Sequence, residues 1–436
     1  MPTSASKAAD FLLHHHLKGA DLETVAARLR STATPHGARV PGGARVSPET
    51  LDKRWALLRA GGEARAALAD QQSIAGMEAY QHNIENLIGT VKVPVGLAGP
   101  LRVNGLFAQG DFYVPLATTE AALVASYCRG AIAISEAGGC AAMVINEGVS
   151  RAPGFAFRSL EDAGRFIIWA LAEQEAFRKA AEATTHHGRL LDMRFLVEGN
   201  HVYLTFEFST GDAAGQNMVT IATQAICDYI AQHSPVQPQY SFVEANLSGD
   251  KKASTLSFLS VRGKKVVTEV RLSAELVKHV LHSTPGMMVN YWRMSALGGV
   301  MSGTIGVHGH YANGLAALFI ACGQDAACVA ESAVGVTRFE VTQEGGLYAA
   351  VTLPNVIVGT VGGGTNLPSQ RACLEILGLA GPAHAEAFAE VCAALALAGE
   401  LSIIAALSSD EFTRAHKRLA RGRKGQDASS SAISEK

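Results

Sequence analysis

Two adjacent lysines in the middle of the chain are the first candidates for chemistry. Lys251 and Lys252 follow Asp250, and the triplet lies between two apolar runs, residues 240–243 and 255–261. This pattern predicts a hairpin with the lysines at its turn. An ammonium group held in a pocket can stabilise an oxygen atom that becomes negative during a reaction. A solvated turn without a catalytic role is the alternative interpretation, because charged residues are mostly found at the surface.

Two carboxylates also stand where solvation is not the obvious explanation. Glu120 is expected in the first turn of a helix, with Thr119 as its N-cap. Asp325 lies within an apolar helical region, 312–334, where an unpaired carboxylate is costly to bury. Both have a structural alternative: Glu120 can complement the helix dipole, and Asp325 can cap a helix break after Gly323.

A histidine near the end of the chain completes this set of ionisable residues. His416 lies on a predicted helix, 409–420, whose neighbouring residues are basic. An ordinary surface histidine is the alternative. Residues 421–436 are basic and then serine-rich, and they are expected to form a disordered tail.

Two glycine-rich loops, 211–215 and 359–364, could let backbone amides approach phosphate groups. Neither loop matches the dinucleotide-binding GxGxxG pattern or a Walker loop. Each could equally be a tight turn.

The elements that must position these residues are helices and strands in mixed order. Periodicity predicts helices at 10–31, 47–70, 120–137, 160–183, 217–232, from Ser273, 285–297 and 384–407. Strands are predicted at 190–197, 202–208, 338–342 and 347–353. Residues 85–100 are expected to be mostly irregular, and 298–310 a glycine-rich loop. Helix, hairpin, helix and strand make 153–240 a compact α+β insert.

Composition excludes several classes of protein. The chain has 436 residues, 48% of them hydrophobic, and a formal net charge of −2, so no overall basic surface for nucleic acid is expected. The seven cysteines show no metal-ligand spacing and no disulfide framework, which indicates reduced thiols, no metal site and a cytoplasmic location. The longest apolar run, 391–407, is interrupted by Glu400, so no membrane span is expected. The N-terminus lacks the pattern of a signal peptide.

Taken together, the motifs resemble those of 3-hydroxy-3-methylglutaryl-CoA reductases, over about residues 75–420. The matching segments, in order, are 85–89 (ENLIG), 116–120 (LATTE), 211–218 (GDAAGQNM), 250–252 (DKK), 323–327 (GQDAA), 359–365 (GTVGGGT) and 397–402 (LAGELS). The last two resemble the class I branch, and the lack of membrane spans resembles its soluble bacterial and archaeal members.

The resemblance implies an α+β fold: a large acyl-CoA-binding domain with an inserted, small, ferredoxin-like nucleotide-binding domain, and helical segments at both ends. The expected division is a helical segment 1–75, a large domain of 76–152 and 241–405, a small domain 153–240, a helix 406–420 with His416, and the tail 421–436. The family is dimeric or larger with active sites shared between subunits, and residues 85–89 match its dimerisation segment.

The resemblance also implies the reaction, an NAD(P)H-dependent reduction of an acyl-CoA thioester to a primary alcohol in two hydride steps. Lys251 would stabilise the oxyanion, and Asp325 would keep Lys251 charged and lie close to Glu120. Glu120 could then keep a proton and act as a general acid, because two adjacent carboxylates do not easily both ionise. His416 would protonate the departing CoA thiolate. These four are the expected catalytic residues.

Departures from the family cluster where the substrate carboxylate would bind. The expected substrate-binding residues are Arg151, Glu244, Lys252, Arg293, His310 and Asn313. Arg293 stands where a lysine is usual, and Glu244 where a serine is usual, while Cys128 replaces an asparagine. Glu244 would repel a carboxylate, so we expect it to pair with Arg151, Lys252 or Arg293.

The nucleotide is expected to be NADPH, with NADH as the alternative. Class I members usually hold the 2′-phosphate with an arginine, and His186 lies near that position, with Arg189 close by. The residues expected to bind the nucleotide are His186, Asp212, Gly215, Gln216, Asn217, Gly362 and Gly363.

The sequence is therefore compatible with three functions. The first is the reduction of hydroxymethylglutaryl-CoA to mevalonate and CoA. The second is the reduction of a related acyl-CoA by a paralogue with an altered carboxylate pocket, and the third is an inactive homologue that binds acyl-CoA.

Overall fold

The structure is a computed structural model, and it describes residues 3–17, 19–31 and 37–409. It contains two compact units, with the boundary between Thr90 and Val91. His416 and the tail 421–436 lie outside the described residues. The domain boundaries drawn from the sequence stay a prediction.

The first unit consists of short helices around a small core. Its elements are α1 (Ala5–Ala9), a π-helical segment (Asp10–Leu17), α2 (Leu22–Leu29), α3 (Pro48–Trp55), α4 (Gly62–Leu68), α5 (Gln71–Ala75) and a 3₁₀ turn (Met77–Tyr80). Its buried hydrophobic residues are Val46, Leu51, Trp55, Ala69, Met77 and Leu87. The helices predicted over 10–31 and 47–70 are both interrupted. The second breaks before the Gly61-Gly62 pair, since glycine disfavours a helix interior.

The described part of the second unit contains one ten-stranded sheet. Its strands are β1 (Val95–Gly105), β2 (Gln109–Ala117), β3 (Cys140–Arg151), β4 (Gly154–Ala156), β5 (Arg189–Glu198), β6 (His201–Ser209), β7 (Tyr240–Phe242), β8 (Gly263–Leu272), β9 (Val336–Val341) and β10 (Leu347–Val356). The order is β7-β4-β6-β3-β8-β10-β9, while β1 pairs with β2 and β3, and β5 pairs with β6. The long strand β3 joins two regions: it pairs with β1 and β8, and its end, 149–151, pairs with β6.

Helices cover this sheet, and one of them, described last, is buried in the hydrophobic core of the unit. They are α6 (Leu123–Glu136), α7 (Leu160–Ala172), α8 (Gln174–Glu182), α9 (Gln216–His233), α10 (Ala274–Leu281), α11 (Pro285–Ser302), α12 (Tyr311–Ala321), α13 (Val329–Ser332), α14 (Pro368–Leu377) and α15 (Ala385–Ser408). Helix α15 is long and apolar enough to cross a membrane, but 83% of its most apolar stretch is buried inside the protein. It packs against α6, α12 and the sheet as a core helix.

Residues 149–236 have a hydrophobic core of their own. The elements run β4, α7, α8, β5, β6, α9 and β7, and the strands lie in the order β7-β4-β6-β5, all antiparallel. The hairpin of β5 and β6 follows the prediction, because β6 alternates buried and half-buried residues. This is the ferredoxin-like arrangement, and the predicted α+β fold is confirmed. The single helix predicted over 160–183 is two helices, separated at Glu173.

Four local predictions are wrong. Residues 95–105 form β1, because a register shift between Ala98 and Leu101 accommodates the glycine and proline there. The apolar run 255–261 begins as a 3₁₀ turn capped by Ser254, so Lys251 lies in a long loop instead of a hairpin turn. Helix α6 starts at Leu123, after Glu120, and α11 continues to Ser302, so only 303–310 of the expected glycine loop lies outside a helix.

Candidate active site

Lys251 and Asp325 form an ion pair. Lys251 Nζ lies 2.8 Å from Asp325 Oδ2, and both side chains are about two-fifths exposed, at 41% and 43%. The hydrogen bond to Asp325 raises the pKa of Lys251 above its ordinary value, so the amine stays an ammonium at neutral pH. A cation of fixed position and partial solvent access can stabilise a developing oxyanion.

Asp325 follows a break after helix α12. Helix α12 ends at Ala321, Gly323 takes a positive φ of 70°, and Asp325 then caps a 3₁₀ turn by accepting from Ala327 N at 3.0 Å. The alternative interpretation of Asp325 as a cap is therefore correct. Its second oxygen remains available for Lys251, so one carboxylate fills both roles.

Glu244 and Arg151 meet as the sequence suggested. Arg151 Nη1 lies 3.4 Å from Glu244 Oε2 and 2.9 Å from Asp250 Oδ2, and the Arg151 side chain is only 7% exposed. Glu244 also accepts from Asn246 N at 2.7 Å and from Ser248 Oγ at 2.9 Å. Glu244 therefore builds the loop that leads to Lys251, and Arg151 is already engaged by two carboxylates.

Glu120 and Asn313 form a second pair. Asn313 Nδ2 lies 3.3 Å from one Glu120 carboxylate oxygen and 3.4 Å from the other. Glu120 precedes helix α6, and its backbone N–H donates to Thr118 Oγ1 at 3.0 Å. The predicted cap at Thr119 is wrong, since Ala122 occupies the N-cap position in the left-handed conformation.

His310 lies near Asn313, at the start of α12. It immediately precedes α12, and its ring stacks on Tyr127 with a centroid distance of 5.2 Å. The fully buried Glu400 accepts from Gly309 N and His310 N, each at 2.9 Å, and lies 3.6 Å from His310 Nδ1. The core helix α15 thus anchors the loop that carries His310.

The two pairs lie at opposite ends of α12. Asn313 is in the first turn of this helix, whereas Asp325 follows its last turn. Asn313 and Ala321 are about 12 Å apart along the axis at 1.5 Å per residue. Among the described residues, no hydrogen bond or ion pair joins Glu120 to Lys251 or Asp325. Glu120 is instead hydrogen-bonded to Asn313, and the expected proximity of Glu120 and Asp325 stays a prediction.

Residues expected to bind the nucleotide lie beside the Lys251–Asp325 pair. Thr360 N donates to Asp212 O at 2.8 Å, which brings the two glycine loops together. Gln324 holds Gly359 through two hydrogen bonds, at 2.8 and 2.9 Å, and it directly precedes Asp325. Gln216 lies in the first turn of α9, and its Nε2 is 2.7 Å from Cys328 Sγ.

The two glycine loops offer space and donors to an anion. Gly362 and Gly363 have positive φ values, 75° and 53°, and a Cβ at either position would meet nothing within 4 Å. The N-terminus of the 18-residue helix α9, which starts after Gly215, has no side-chain cap. Its first backbone amides, which include those of Gln216 and Asn217, are available to bind a phosphate.

Asp212 has a structural role in this region. Its carboxylate accepts from the backbone amides of Ala383, His384 and Ala385 at 2.8, 3.1 and 3.2 Å, at the start of α15. Burial raises the pKa of Asp212, but these amides outweigh it and lower the pKa overall. Asp212 therefore anchors this loop to the start of α15, and its predicted contact with a nucleotide stays a prediction.

The other predicted residues are more exposed. His186 is exposed in the loop between α8 and β5, where Thr185 Oγ1 lies 3.1 Å from Met218 Sδ in the first turn of α9. Lys252 is exposed, and its Nζ donates to Asp250 O at 2.8 Å. Arg293 is exposed on α11, and the described residues show no contact between it and Arg151 or Lys252. The roles of all these residues stay predictions, including that of His416, which is not described.

Two buried residues near Lys251 were missed by the sequence. Arg262 is 2% exposed and Glu331 is fully buried, and they are paired at 2.8 Å. The signal for Glu331 was a single charged residue within an otherwise apolar run, the criterion that drew attention to Asp325. Arg262 had no such signal, because Lys264 and Lys265 follow it closely.

Comparison with known proteins identifies the family. The family model for hydroxymethylglutaryl-coenzyme A reductase matches residues 50–421. The chain belongs to this family. The reductase of Aeropyrum pernix is 46% identical over 352 residues, which are 79% of this chain and 83% of the relative. That of Pyrococcus horikoshii is 43% identical over 357 residues, or 80% and 86% of the two chains.

Solved reductase structures share the fold at lower identity. The class II 3-hydroxy-3-methylglutaryl-CoA reductase from Streptococcus pneumoniae, determined with NADPH in open conformations, matches with a TM-score of 0.62 and 18% identity. The match covers 79% of this chain and 84% of that chain. The family resemblance drawn from the motifs is therefore confirmed, and its relatives from archaea are far more similar in sequence than these class II structures.

Proposed function

We propose that this protein reduces 3-hydroxy-3-methylglutaryl-CoA to mevalonate and free CoA, with NADPH as the reductant. The main support for this function is the Lys251–Asp325 ion pair, which lies beside the two glycine loops in a chain of the reductase family. In each turnover the acyl-CoA, two NADPH and two protons give mevalonate, CoA and two NADP⁺.

The residues at the glycine loops fit a dinucleotide. Open space at Gly362 and Gly363, together with the uncapped start of α9, suits a phosphate group. Bound NADPH supplies one hydride in each of two steps. His186, in the loop beside α9, is the proposed contact for the 2′-phosphate, and it would favour NADPH over NADH most strongly when protonated.

Lys251 is the proposed electrophilic group. As hydride adds to the thioester carbonyl, negative charge grows on the oxygen, and the ammonium of Lys251 donates a hydrogen bond to it. Asp325 keeps this ammonium charged and directed. In the second reduction, the aldehyde oxygen would use the same donor, so one cation serves both steps.

Proton supply is assigned to Glu120 and His416. Glu120 is oriented by Asn313 and would donate a proton to the alkoxide as the alcohol forms. The CoA thiolate that leaves after the first hydride transfer also needs a proton, and His416 is the proposed donor. His310, held by Glu400, would contact the thiol end of CoA.

A complete site is proposed to need two subunits. Glu120, Asn313 and His310 lie at one end of α12, while Lys251 and Asp325 lie at the other end. A homodimer could bring the first group of one chain to the second group of its partner. The exposed Arg293, on α11, would then join Lys252 in binding the substrate carboxylate. All seven cysteines are free thiols, which supports a location in the reducing cytoplasm.

A substrate panel tests the proposal. Purified protein is given hydroxymethylglutaryl-CoA or uncharged acyl-CoAs of similar size, and NADPH and NADH oxidation is followed. Clear turnover of hydroxymethylglutaryl-CoA with release of mevalonate is expected. No turnover with any acyl-CoA would contradict both enzymatic functions and favour an inactive acyl-CoA-binding protein.

One observation favours a second candidate, the reduction of an acyl-CoA that lacks the free carboxylate. Arg151 is buried and already contacts both Glu244 and Asp250, so its charge is compensated within the protein. Much better turnover of an uncharged acyl-CoA would establish this second function and exclude the first.

A further inference from the structure

The buried ion pair of Arg262 and Glu331 takes no part in the proposed chemistry, yet it contacts the backbone that carries Lys251. The two side chains are 2% and 0% exposed, and Arg262 Nε donates to Glu331 Oε2 at 2.8 Å. Two charges removed from water need further hydrogen bonds to offset their lost hydration. The groups at the other end of these hydrogen bonds are therefore the parts of the protein that the pair fixes in place.

The pair holds both sides of one peptide bond. Arg262 Nη2 donates to the carboxylate of Asp250, and Glu331 Oε1 accepts from Lys251 N at 3.1 Å. Arg262 Nη1 also donates to Ser150 O at 2.9 Å, near the end of β3. The Asp250–Lys251 peptide is thus fixed to the sheet by charge-assisted hydrogen bonds, which are among the stronger ones in proteins.

The backbone of Lys251 needs this support. Its φ is 56°, in the left-handed region that non-glycine residues seldom adopt. Such a conformation persists only where surrounding contacts determine it. The direction of the Cα–Cβ bond follows from the backbone, so a relaxed backbone would point the Lys251 side chain away from its present course toward Asp325.

We infer that Arg262 and Glu331 are positioning residues that hold Lys251 with its ammonium group against Asp325. The consequence for catalysis rests on the proposed reductase function, because Lys251 is the group that would stabilise the oxyanion. The position of Lys251 can itself be measured without any turnover, so the two ideas can be tested separately.

The informative variant is Glu331→Asp. It keeps the negative charge beside Arg262, but its side chain is one methylene shorter and withdraws from the Lys251 amide. Glu390→Asp is the matched control. Glu390 is also fully buried and accepts from Phe107 N at 2.9 Å and Ala108 N at 2.7 Å, in the turn between β1 and β2. Both variants shorten a buried carboxylate that binds backbone amides.

The first measurement is the rate at which Lys251 reacts with a trace of acetic anhydride, read by mass spectrometry with the exposed Lys278 on α10 as internal reference. Only the neutral amine reacts, and Asp325 keeps Lys251 protonated. Asp250 and Cys328 also face Lys251. Lys251 is expected to react faster in Glu331→Asp, on the order of tenfold, as in Asp325→Asn. Glu390→Asp is expected to leave the rate unchanged.

The second measurement is steady-state kinetics on the same proteins. Glu331→Asp is expected to lower kcat about 100-fold, because a displaced catalytic group no longer meets the reacting oxygen. The KM values for acyl-CoA and NADPH are expected to stay the same, since a group used mainly in the transition state is affected. Glu390→Asp should lower the melting temperature while kcat is retained.

A folded Glu331→Asp protein with the wild-type Lys251 labelling rate would overturn the inference, whatever its activity. If that variant does not fold, Arg262→Lys, which keeps the charge but loses the planar fork, is evaluated by the same criterion. Altered labelling in a protein whose wild type reduces no acyl-CoA would support the positioning role and contradict the proposed function.

Discussion

Lys251 Nζ lies 2.8 Å from Asp325 Oδ2, and this ion pair connects the loop after β7 with the turn after α12. Neither residue is close to the other in sequence. The pair places a fixed cation beside the glycine loops, where the proposed function puts the reacting carbonyl oxygen and the nucleotide.

Replacing Lys251 with methionine is expected to lower kcat by about 10²–10³-fold, the usual effect of losing one oxyanion donor. Acyl-CoA binding, measured by calorimetry, should change little because methionine is unbranched like lysine and only one heavy atom shorter. Lys278→Met, at an exposed lysine on α10, is the control and should keep full activity. Full activity of Lys251→Met would contradict the assigned role.

Mixing two inactive variants is expected to restore activity if the sites are shared. Glu120→Ala and Lys251→Ala remove groups from opposite ends of α12. In randomly reassembled dimers half of the molecules carry one intact site of two, so about a quarter of the wild-type activity should return. Glu120→Ala mixed with Asn313→Ala is the control, because both changes affect the same half-site. Equal behaviour of the two mixtures would argue against a shared site.

Glu244→Gln is expected to lower the KM for hydroxymethylglutaryl-CoA by about tenfold, because Arg151 loses one of its two competing carboxylates. The amide oxygen can still accept from Asn246 N, so the loop should stay folded. Uncharged acyl-CoAs should show no such gain. Glu375→Gln, at an exposed pair with Arg371, is the control. A similar gain for uncharged substrates would mean that the effect does not involve the carboxylate.

Gly362→Ala is expected to raise the KM for NADPH by about tenfold through a clash with the bound nucleotide. The matched control is Gly378→Ala at the end of α14. The two glycines have φ values of 75° and 72°, and a methyl group added at either one would meet no protein atom within 4 Å. The ψ values differ, 174° at Gly362 and 19° at Gly378, so an alanine is more strained at Gly362 and the melting temperature of that variant should fall further. Equal KM values would remove Gly362 from the nucleotide site.

The stability of the protein is expected to depend on pH through Glu331. Burial raises the pKa of Glu331 from 4.5 to about 7, although Arg262 opposes this. The folded state therefore binds more protons than the unfolded state between these values, and its stability falls as pH rises from 4.5 to 7. Glu331→Gln cannot titrate, so wild type should lose stability relative to this variant across that range in urea unfolding experiments. A constant difference would contradict the raised pKa.

Local sequence patterns were sufficient where one chemical feature dominates. The alternation of β6 identified the hairpin within residues 149–236, and the ordered motifs identified the family. The same patterns failed at residues 95–100 and 255–261. There, a register shift at Gly99-Pro100 and a capped 3₁₀ turn at Ser254 decided the structure. Such features depend on pairing with distant strands, which a local pattern does not contain.

The sequence by itself determined the family, the α+β fold and the residue types available for reduction, because these follow from motifs and periodicity. Only the tertiary structure decided which of those residues meet. It paired Lys251 with Asp325, set Glu120 against Asn313, and engaged Arg151 with Glu244. It also revealed Arg262 and Glu331 beneath Lys251. The physical reason is that contacts between charged groups far apart in sequence are fixed by the packing of the helices and strands that carry them.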